Sequence, residues 1–323
     1  TMEWMKLSES SNYWMPDIAK MVHHRLVQPA KLRKSAHLSA AIGSTILRQL
    51  SDTREVTGGL RLSSSGACER QLAYGYHHTE ENGHGIDATS RIAFAIGDAT
   101  EGFITAAVAE VFSSVDGTVW NIGEEQETVS LAVALEPGRV AMVSGHPDGS
   151  MIVQRKSGEA TESVRAILEV KSMSDYAFKK FRTSGLTKAD SYYWQVQAYM
   201  AAKGFDYAYL IAFGKAATAK EAYIDEEDGS WWPLFPVHGQ WIERDNECVQ
   251  EIREKFRRVI KSRVPENIER PYGPNKKGRL SFPCDYCKYY KTCFPNTEEV
   301  AEESKWLQKS TKIKVYVRDE DDQ

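Results

Sequence analysis

Two apolar runs joined by a polar segment are the feature that most limits the folds open to this chain. The runs are "SGHPDGSMIV" at 144–153 and "AILEVK" at 166–171. Both have the pattern of β-strands, and the residues between them are polar and charged, as in a turn. The segment "MIVQRKSGEATESVRAILEVK" therefore predicts a β-hairpin.

Three ionisable residues lie in this hairpin, where a strand normally avoids them. Glu169 and Lys171 are two positions apart, so their side chains share one face of a strand. If the strands pair, Asp148 can approach the same face. Two carboxylates in one place repel each other unless a cation lies between them, and Mg²⁺ or Mn²⁺ prefers such oxygen ligands.

This grouping predicts hydrolysis of phosphodiester bonds. A metal held by Asp148 and Glu169 would activate a water molecule, and Lys171 would add a compact positive charge near that water or the phosphate. The alternative is that Glu169 and Lys171 form a solvent-facing ion pair of little energetic value.

The rest of the chain alternates between helical and strand patterns. Helical spacing covers residues 16–52, 89–113, 188–203 and 239–264. Strand patterns cover 117–135, 139–144, "YAYLIAFG" and "KEAYID". This order predicts a mixed α/β core.

Four of the five cysteines occur in two irregular segments. One is Cys68, and the others are Cys284, Cys287 and Cys293 in "CDYCKYYKTC". Because a cytoplasmic chain is not expected to rely on disulfides, thiolate–metal bonds between these segments are the better interpretation. The spacing is compatible with zinc or with an iron–sulfur cluster. Cys248 lies in a predicted helix and is expected to be a buried or idle thiol.

Composition narrows the class of protein. No stretch approaches the roughly 20 apolar residues that cross a bilayer, and no cationic segment followed by an apolar one begins the sequence. We therefore expect a cytoplasmic protein without membrane contacts. The net charge of −4 gives no sign of nucleic acid binding, but residues 171–188 and 276–291 each carry five basic residues against one acidic residue.

The motif "HPDG…ILEVK" resembles the PD-(D/E)XK nuclease superfamily, and more closely its RecB-like branch. "QVQAY" supplies Gln195 and Tyr199 at the spacing of the QxxxY motif of that branch, whose Gln and Tyr flank the active site. The branch also carries a GxxxH helix whose His binds metal. Here "GDATE" puts Glu101 where the His would be, which is a departure from the pattern. The resemblance also implies that the main-chain carbonyl of Val170 contacts the metal.

The cysteine pattern resembles the [4Fe-4S] staple of AddB-type nucleases and of CRISPR-associated RecB-like exonucleases. Cys68, Cys284, Cys287 and Cys293 would bind the cluster, and Arg70 matches the Cys-x-Arg pattern common there. Zinc remains the alternative. In either case the role would be structural.

Together these resemblances imply a restriction-endonuclease-like mixed sheet flanked by helices, with the end segments tied by a metal–cysteine cluster. The expected organisation is an N-terminal helical extension (1–60), a RecB-like nuclease domain (61–296) and a C-terminal tail (297–323). The implied function is a Mg²⁺- or Mn²⁺-dependent DNA exonuclease in phage or bacterial recombination and repair. Its substrate would be single-stranded or frayed DNA ends, and its partner a helicase or recombination protein.

Two alternatives share these motifs. A non-catalytic DNA-binding or scaffold subunit could retain the fold as a relic, although intact Asp148, Glu169 and Lys171 argue against it. A CRISPR adaptation nuclease would have the same fold and chemistry but different partners.

Overall fold

The computed structural model describes residues 4–7, 11–26, 40, 43–44, 59–81, 88–113, 127–215, 222–224, 231–233, 237–273, 280 and 282–295. The predicted C-terminal tail, most of the predicted helix 16–52 and residues 117–126 lie outside this part.

The described residues form strands β1 (Trp4–Lys6), β2 (Tyr13–Pro16), β3 (Val129–Glu136), β4 (Arg139–Gly145), β5 (Gly149–Ser157), β6 (Ala160–Met173), β7 (Tyr207–Gly214), β8 (Ala222–Ile224), β9 (Trp231–Pro233) and β10 (Val237–Glu243). The helices are α1 (Ile18–Leu26), α2 (Glu69–Tyr76), α3 (Ala88–Ser113), α4 (Asp175–Ser184), α5 (Ser191–Lys203), α6 (Asn246–Lys261) and α7 (Tyr290–Cys293). Single 3₁₀ turns cover Leu62–Ser64, Pro265–Asn267 and Cys284–Tyr286.

Six strands make one mixed sheet in the order β1-β2-β5-β6-β7-β10. Its neighbouring strands are antiparallel except β6 and β7, which are parallel. A parallel pair needs a long crossover, and α4 and α5 supply it between these two strands. The strands β3 and β4 form a separate hairpin, as do β8 and β9. The predicted mixed α/β core, a mixed sheet flanked by helices, is confirmed.

The predicted hairpin is β5 and β6. Ser157 pairs with Ala160, so Gly158 and Glu159 form the turn, and Gly158 has a φ of 57° that favours glycine. The inner half of β6 is an almost continuous apolar run. Such a run is typical of a strand that lies inside a sheet, here between β5 and β7, and is covered on both faces. Residues 166–170 are all buried, Glu169 among them.

Helices α1 and α3 supply apolar side chains to one continuous core with the sheet. That core includes Ile18, Val22, Ile104, Val108, Met151, Leu168, Val170, Ile211 and Trp241. Two polar contacts fasten the N-terminal residues to it. The Trp241 indole N–H donates to the carbonyl of Pro16 at 2.8 Å, and the Ala19 amide donates to the Tyr209 hydroxyl at 2.8 Å. Strands β1 and β2 thus extend the sheet from the N-terminal extension (1–60), in which the sequence predicted a helix at 16–52 but no strand.

The predicted helix 239–264 is wrong in its first turns. Val237–Glu243 pairs along its whole length with β7, and α6 begins at Asn246. The Asp245 carboxylate accepts a hydrogen bond from the Cys248 amide at 3.0 Å, which is the geometry of a helix N-cap. Pairing with β7 makes this segment a strand despite its local helical spacing. The local sequence pattern does not show this pairing, because β7 is distant along the chain.

The chain divides into two compact units. The sheet unit is residues 1–67 and 88–257, and the cysteine unit is residues 68–87 and 258–323. Within the cysteine unit, both oxygens of Glu69 accept from the Arg258 guanidinium at 2.8 Å, and the rings of Tyr74 and Tyr289 are 5.4 Å apart. No helix in the described part of the chain has both the length and the apolar character needed to cross a bilayer.

Candidate active site

Asp148 is held against β6 by the hairpin. It directly precedes β5, whose first residue, Gly149, pairs with Leu168. One carboxylate oxygen, Oδ2, accepts a hydrogen bond from the Val170 amide at 2.7 Å. Asp148 is therefore fixed beside the two polar residues of β6, as the hairpin pattern predicts.

The side chains of Glu169 and Lys171 extend from the same face of β6 and meet beside Asp148. The Lys171 ammonium donates a short hydrogen bond to Glu169 Oε1, and its Nζ lies 4.0 Å from Asp148 Oδ2. The side chain of Glu169 is only 1% exposed and that of Lys171 17%, so the pair is buried and the solvent-facing alternative is wrong.

The charge of Glu169 is not fully compensated. Burial, followed by repulsion from Asp148, raises its pKa from 4.5 to about 8, although Lys171 opposes the shift. Its second oxygen, Oε2, is buried and has no hydrogen-bond partner among the described residues. A buried carboxylate oxygen without a partner is costly, which makes it a good position for a cation.

Lys171 is the observed counter-charge. Burial alone would lower its pKa, but the carboxylates of Glu169 and Asp148 outweigh this and raise the pKa above its usual value. Lys171 is therefore protonated across the physiological range.

Helix α5 supplies two further contacts. The Gln195 carboxamide N–H₂ donates to Glu169 Oε1 at 2.6 Å and to the Tyr199 hydroxyl at 3.4 Å. Both side chains are buried, and burial together with the charge of Glu169 raises the pKa of Tyr199 above its usual value. The structure thus brings together Asp148, Glu169, Lys171, Gln195 and Tyr199, the five residues predicted as catalytic.

Glu101 approaches from α3. One turn before it, Gly97 lies so close to β6 that a Cβ there would be 2.9 Å from the Ser172 hydroxyl. The negative charge of Glu101 adds to the causes that raise the pKa of Glu169. Even so, no three acidic, histidine or cysteine side chains in the described ranges are arranged as a ready metal-ligand set. The ammonium that lies beside the carboxylates of Glu169 and Asp148 belongs to Lys171 and is not a metal ligand.

The four predicted cysteine ligands all belong to the cysteine unit. Cys68 precedes α2, Cys284 opens a 3₁₀ turn, Cys287 follows that turn and Cys293 ends α7. None is in a disulfide. Burial raises the pKa values of Cys287 and Cys293, and the charge of Cys68 adds to both shifts. Among the described residues, no three of these cysteines are arranged together as metal ligands. Cys248 is separate and fully buried in α6.

The basic segment 171–188 is less open to a ligand than its charge suggests. Lys180 pairs with Asp190 at 2.5 Å, and Lys188 lies 3.2 Å from Asp245 and from Glu247. The sequence did not reveal the two partners of Lys188, because Asp245 and Glu247 are distant along the chain.

One residue near Lys171 was not predicted as part of the site. The Tyr192 ring centroid is 5.5 Å from Lys171 Nζ. Its spacing from Gln195 and Tyr199, at three and seven residues, was the available signal, because those positions share a helix face.

No family model and no curated protein matches the sequence. Several solved structures are similar at low identity. SSO0001 is 12% identical, with a TM-score of 0.43 over 78% of this chain and 93% of that one. The alkaline exonuclease LHK-Exo from Laribacter hongkongensis is 16% identical, with a TM-score of 0.36 over 63% and 87%. A phage-related exonuclease from Haemophilus somnus 129PT is 15% identical, with a TM-score of 0.24 over 62% and 91%. Similarity at this level assigns neither a family nor an activity.

Proposed function

We propose that the chain is a metal-dependent deoxyribonuclease that hydrolyses phosphodiester bonds from single-stranded or frayed DNA ends. The observation that carries this proposal is the placement of Lys171. Its ammonium bonds the buried carboxylate of Glu169 and lies 4.0 Å from Asp148. An amine held between two acids combines a cation-binding pair with a fixed positive charge, and both are useful for cutting a phosphate ester.

Asp148 and Glu169 would hold Mg²⁺ or Mn²⁺, with the Val170 carbonyl and Glu101 as further ligands. The unpartnered Oε2 of Glu169 and the raised pKa of that carboxyl fit a site in which one ammonium, that of Lys171, does not balance the nearby carboxylates. A divalent ion bound there would lower the pKa of a water ligand and offset negative charge on the phosphate.

The protein's own residues have distinct tasks in this proposal. Lys171 donates to the attacking water or to a phosphate oxygen. Gln195 holds Oε1 of Glu169 in place, which leaves Oε2 of the same carboxylate as the oxygen that would bind the cation. Tyr199 supports Gln195 from the next turn of α5. Such supporting hydrogen bonds orient metal ligands.

The cysteine unit is proposed to bind a [4Fe-4S] cluster, with zinc as the alternative. Four cysteines that form no disulfide and belong to one compact unit support this proposal. The guanidinium groups of Arg70 and Arg270 also lower the pKa of Cys293 against the effect of its burial, so positive charge lies near at least one thiol. When bound, either metal would tie residue 68 to residues 284–293.

The cellular setting that follows from this proposal is phage or bacterial recombination and repair in the cytoplasm. The direct partner would be DNA, and a helicase or recombination protein would supply the open ends.

Digestion of end-labelled DNA tests the function. Single-stranded and duplex substrates labelled at the 5′ or the 3′ end are incubated with Mg²⁺, with Mn²⁺ or with EDTA. We expect metal-dependent release of nucleotides from one end, faster on single strands, and complete inhibition by EDTA. Absence of cleavage of every substrate in both metals would refute the proposal.

A further inference from the structure

Tyr192 lies over the ammonium of Lys171. Its ring centroid is 5.5 Å from Nζ, which is within the range of a cation–π contact. The side chain of Tyr192 is half-buried. It sits in the first turn of α5, three residues before Gln195 and seven before Tyr199, so α5 directs three side chains of one face towards Glu169 and Lys171.

The position of a lysine ammonium is only weakly fixed by its own side chain. Its side chain is a flexible four-carbon stem, and its ammonium is a point charge without a preferred direction. In this site Glu169 accepts one hydrogen bond from the ammonium, whereas Asp148 lies at 4.0 Å. An aromatic face attracts the charge without removing a donor, which leaves N–H groups for water or phosphate.

We propose that Tyr192 is a positioning residue that holds the Lys171 ammonium between Glu169 and Asp148 through the face of its ring. This inference rests on the proposed nuclease function, because the position of the ammonium matters to the rate only if Lys171 acts on the phosphate. The competing role is a stacking surface for a nucleobase, which would affect substrate binding rather than the cleavage step.

Fluorinated phenylalanines separate these roles. Each ring fluorine weakens the attraction of the ring face for a cation while leaving the size of the ring nearly unchanged. We would replace Tyr192 by Phe and then by mono-, di- and trifluorophenylalanine, and measure single-turnover cleavage of a saturating single-stranded DNA in Mg²⁺. The cleavage rate is expected to fall stepwise, by about two- to thirtyfold in total, with little change in the Kd for DNA measured in Ca²⁺.

Tyr193 provides the matched control. It is the next residue of α5, and its hydroxyl donates to Asp245 at 3.3 Å, away from Lys171. The same substitutions at Tyr193 should give no trend with fluorination. A flat series at Tyr192, or a series in which only the Kd changes, would overturn the inference.

A second measurement does not depend on cleavage. The ε-methylene of Lys171, observed by NMR in lysine-labelled protein and assigned with Lys171→Arg, should show an upfield ring-current shift that disappears in Tyr192→Leu. An unshifted resonance would overturn the inference even in an active nuclease. A shifted resonance in a protein that cuts no DNA would leave the contact intact and refute the nuclease function instead.

Discussion

A single carboxyl group, that of Glu169, determines how the site responds to pH. Its side chain is buried, one oxygen is unpartnered, and its pKa is raised from 4.5 to about 8. Glu169 therefore takes up a proton more readily in the folded than in the unfolded chain. Its stabilising contribution is full below about pH 4.5 and is lost as the pH rises to about 8.

We expect the thermal stability of the protein without added Mg²⁺ or Mn²⁺ to show this dependence on pH. The Tm of the wild type, relative to that of Glu169→Gln, should fall steadily between pH 5 and pH 8.5, because Gln cannot ionise. Added Mg²⁺ should restore the wild type at pH 8.5 more than the variant. Scanning calorimetry at half-unit pH steps measures both effects. Parallel Tm curves for the two proteins would show that Glu169 does not titrate in this range.

Gln195 is expected to act on cleavage through Glu169. In Gln195→Ala the Oε1 atom of Glu169 loses the hydrogen bond of 2.6 Å, so the carboxylate is less well oriented. We expect a loss of about ten- to hundredfold in the single-turnover rate, with a matching rise in the Mg²⁺ concentration needed for half-maximal rate.

The control for this variant is Gln197→Ala in the same helix. The Gln197 carboxamide donates to the Glu243 carbonyl and accepts from the Asp245 amide, both at 2.8 Å, and neither contact involves Glu169. It should lower the Tm because two partly buried backbone groups lose their partners, and the cleavage rate should stay near that of the wild type. Equal loss of rate in both variants would show that Gln195 serves only to pack α5.

At the scale of elements, the approach of β4 to α5 sets the space around the site. Gly145 ends β4, three residues before Asp148, and a Cβ there would lie 2.8 Å from both Leu62 Cβ and Tyr199 Cε1. Neither atom is the far end of a flexible side chain. The close packing of β4, the 62–64 turn and α5 therefore requires glycine at this position.

Gly145→Ala should displace Tyr199 and weaken the fold. We expect a decrease of about 1–3 kcal/mol in the free energy of unfolding, measured with urea, together with slower cleavage. Gly149→Ala is the matched control from the same turn, since the added Cβ would make an ordinary contact with Leu168 Cβ at 3.8 Å. If the two variants are equally stable, the packing of Tyr199 against Gly145 is looser than described.

The elements of the site were predictable from sequence to different degrees. The hairpin of β5 and β6 was predictable because period-two alternation fixes which side chains share a face, and this brought Asp148 to Glu169 and Lys171. The start of β10 was not predictable, because this segment is a strand through its pairing with β7 and its local pattern is helical. The same reason hides β1 and β2, whose places in the sheet depend on the pairing of β1 with β2 and of β2 with β5.

Tyr192 and the unpartnered oxygen of Glu169 illustrate a second limit. Helical spacing put Tyr192 on the face of Gln195, but an aromatic residue at that position is equally typical of core packing. Only the distance to Lys171 distinguishes the two. A hydrogen bond that is lacking, as at Glu169 Oε2, leaves no trace in a sequence.

At the scale of the whole molecule, the two units differ in the secondary structure and apolar core of their described residues. The sheet unit has the large apolar core, whereas the cysteine unit consists mainly of two short helices and two 3₁₀ turns in its described residues. Segments with little apolar surface gain order from metal–thiolate bonds. If the cysteines bind a metal, loss of one ligand should affect the cysteine unit first.

Cys287→Ser is expected to lose the bound metal and to loosen the cysteine unit. Elemental analysis should detect iron, or zinc under the alternative, in the wild type and much less in the variant, and absorbance near 400 nm would identify an iron–sulfur cluster. Hydrogen exchange should become faster in residues 69–76 and 290–293, with residues 149–173 as internal reference. Cys248→Ala is the control that should retain the metal, because Cys248 is buried in α6 outside the cysteine unit. Metal-free wild-type protein from an anaerobic preparation would contradict the assignment.

The central claim is that Lys171, beside Glu169 and Asp148, is part of a site that cuts phosphodiester bonds. Single-turnover cleavage of labelled single-stranded DNA in Mg²⁺ by Lys171→Ala tests it most directly, with DNA affinity measured in parallel. Lys179→Ala is the control, because Lys179 is an exposed lysine of the neighbouring helix α4. We predict that Lys171→Ala loses at least about a thousandfold in rate, in line with the removal of a preorganised electrostatic group, while it still binds DNA and Lys179→Ala still cuts. Cleavage by Lys171→Ala at the wild-type rate would contradict the account.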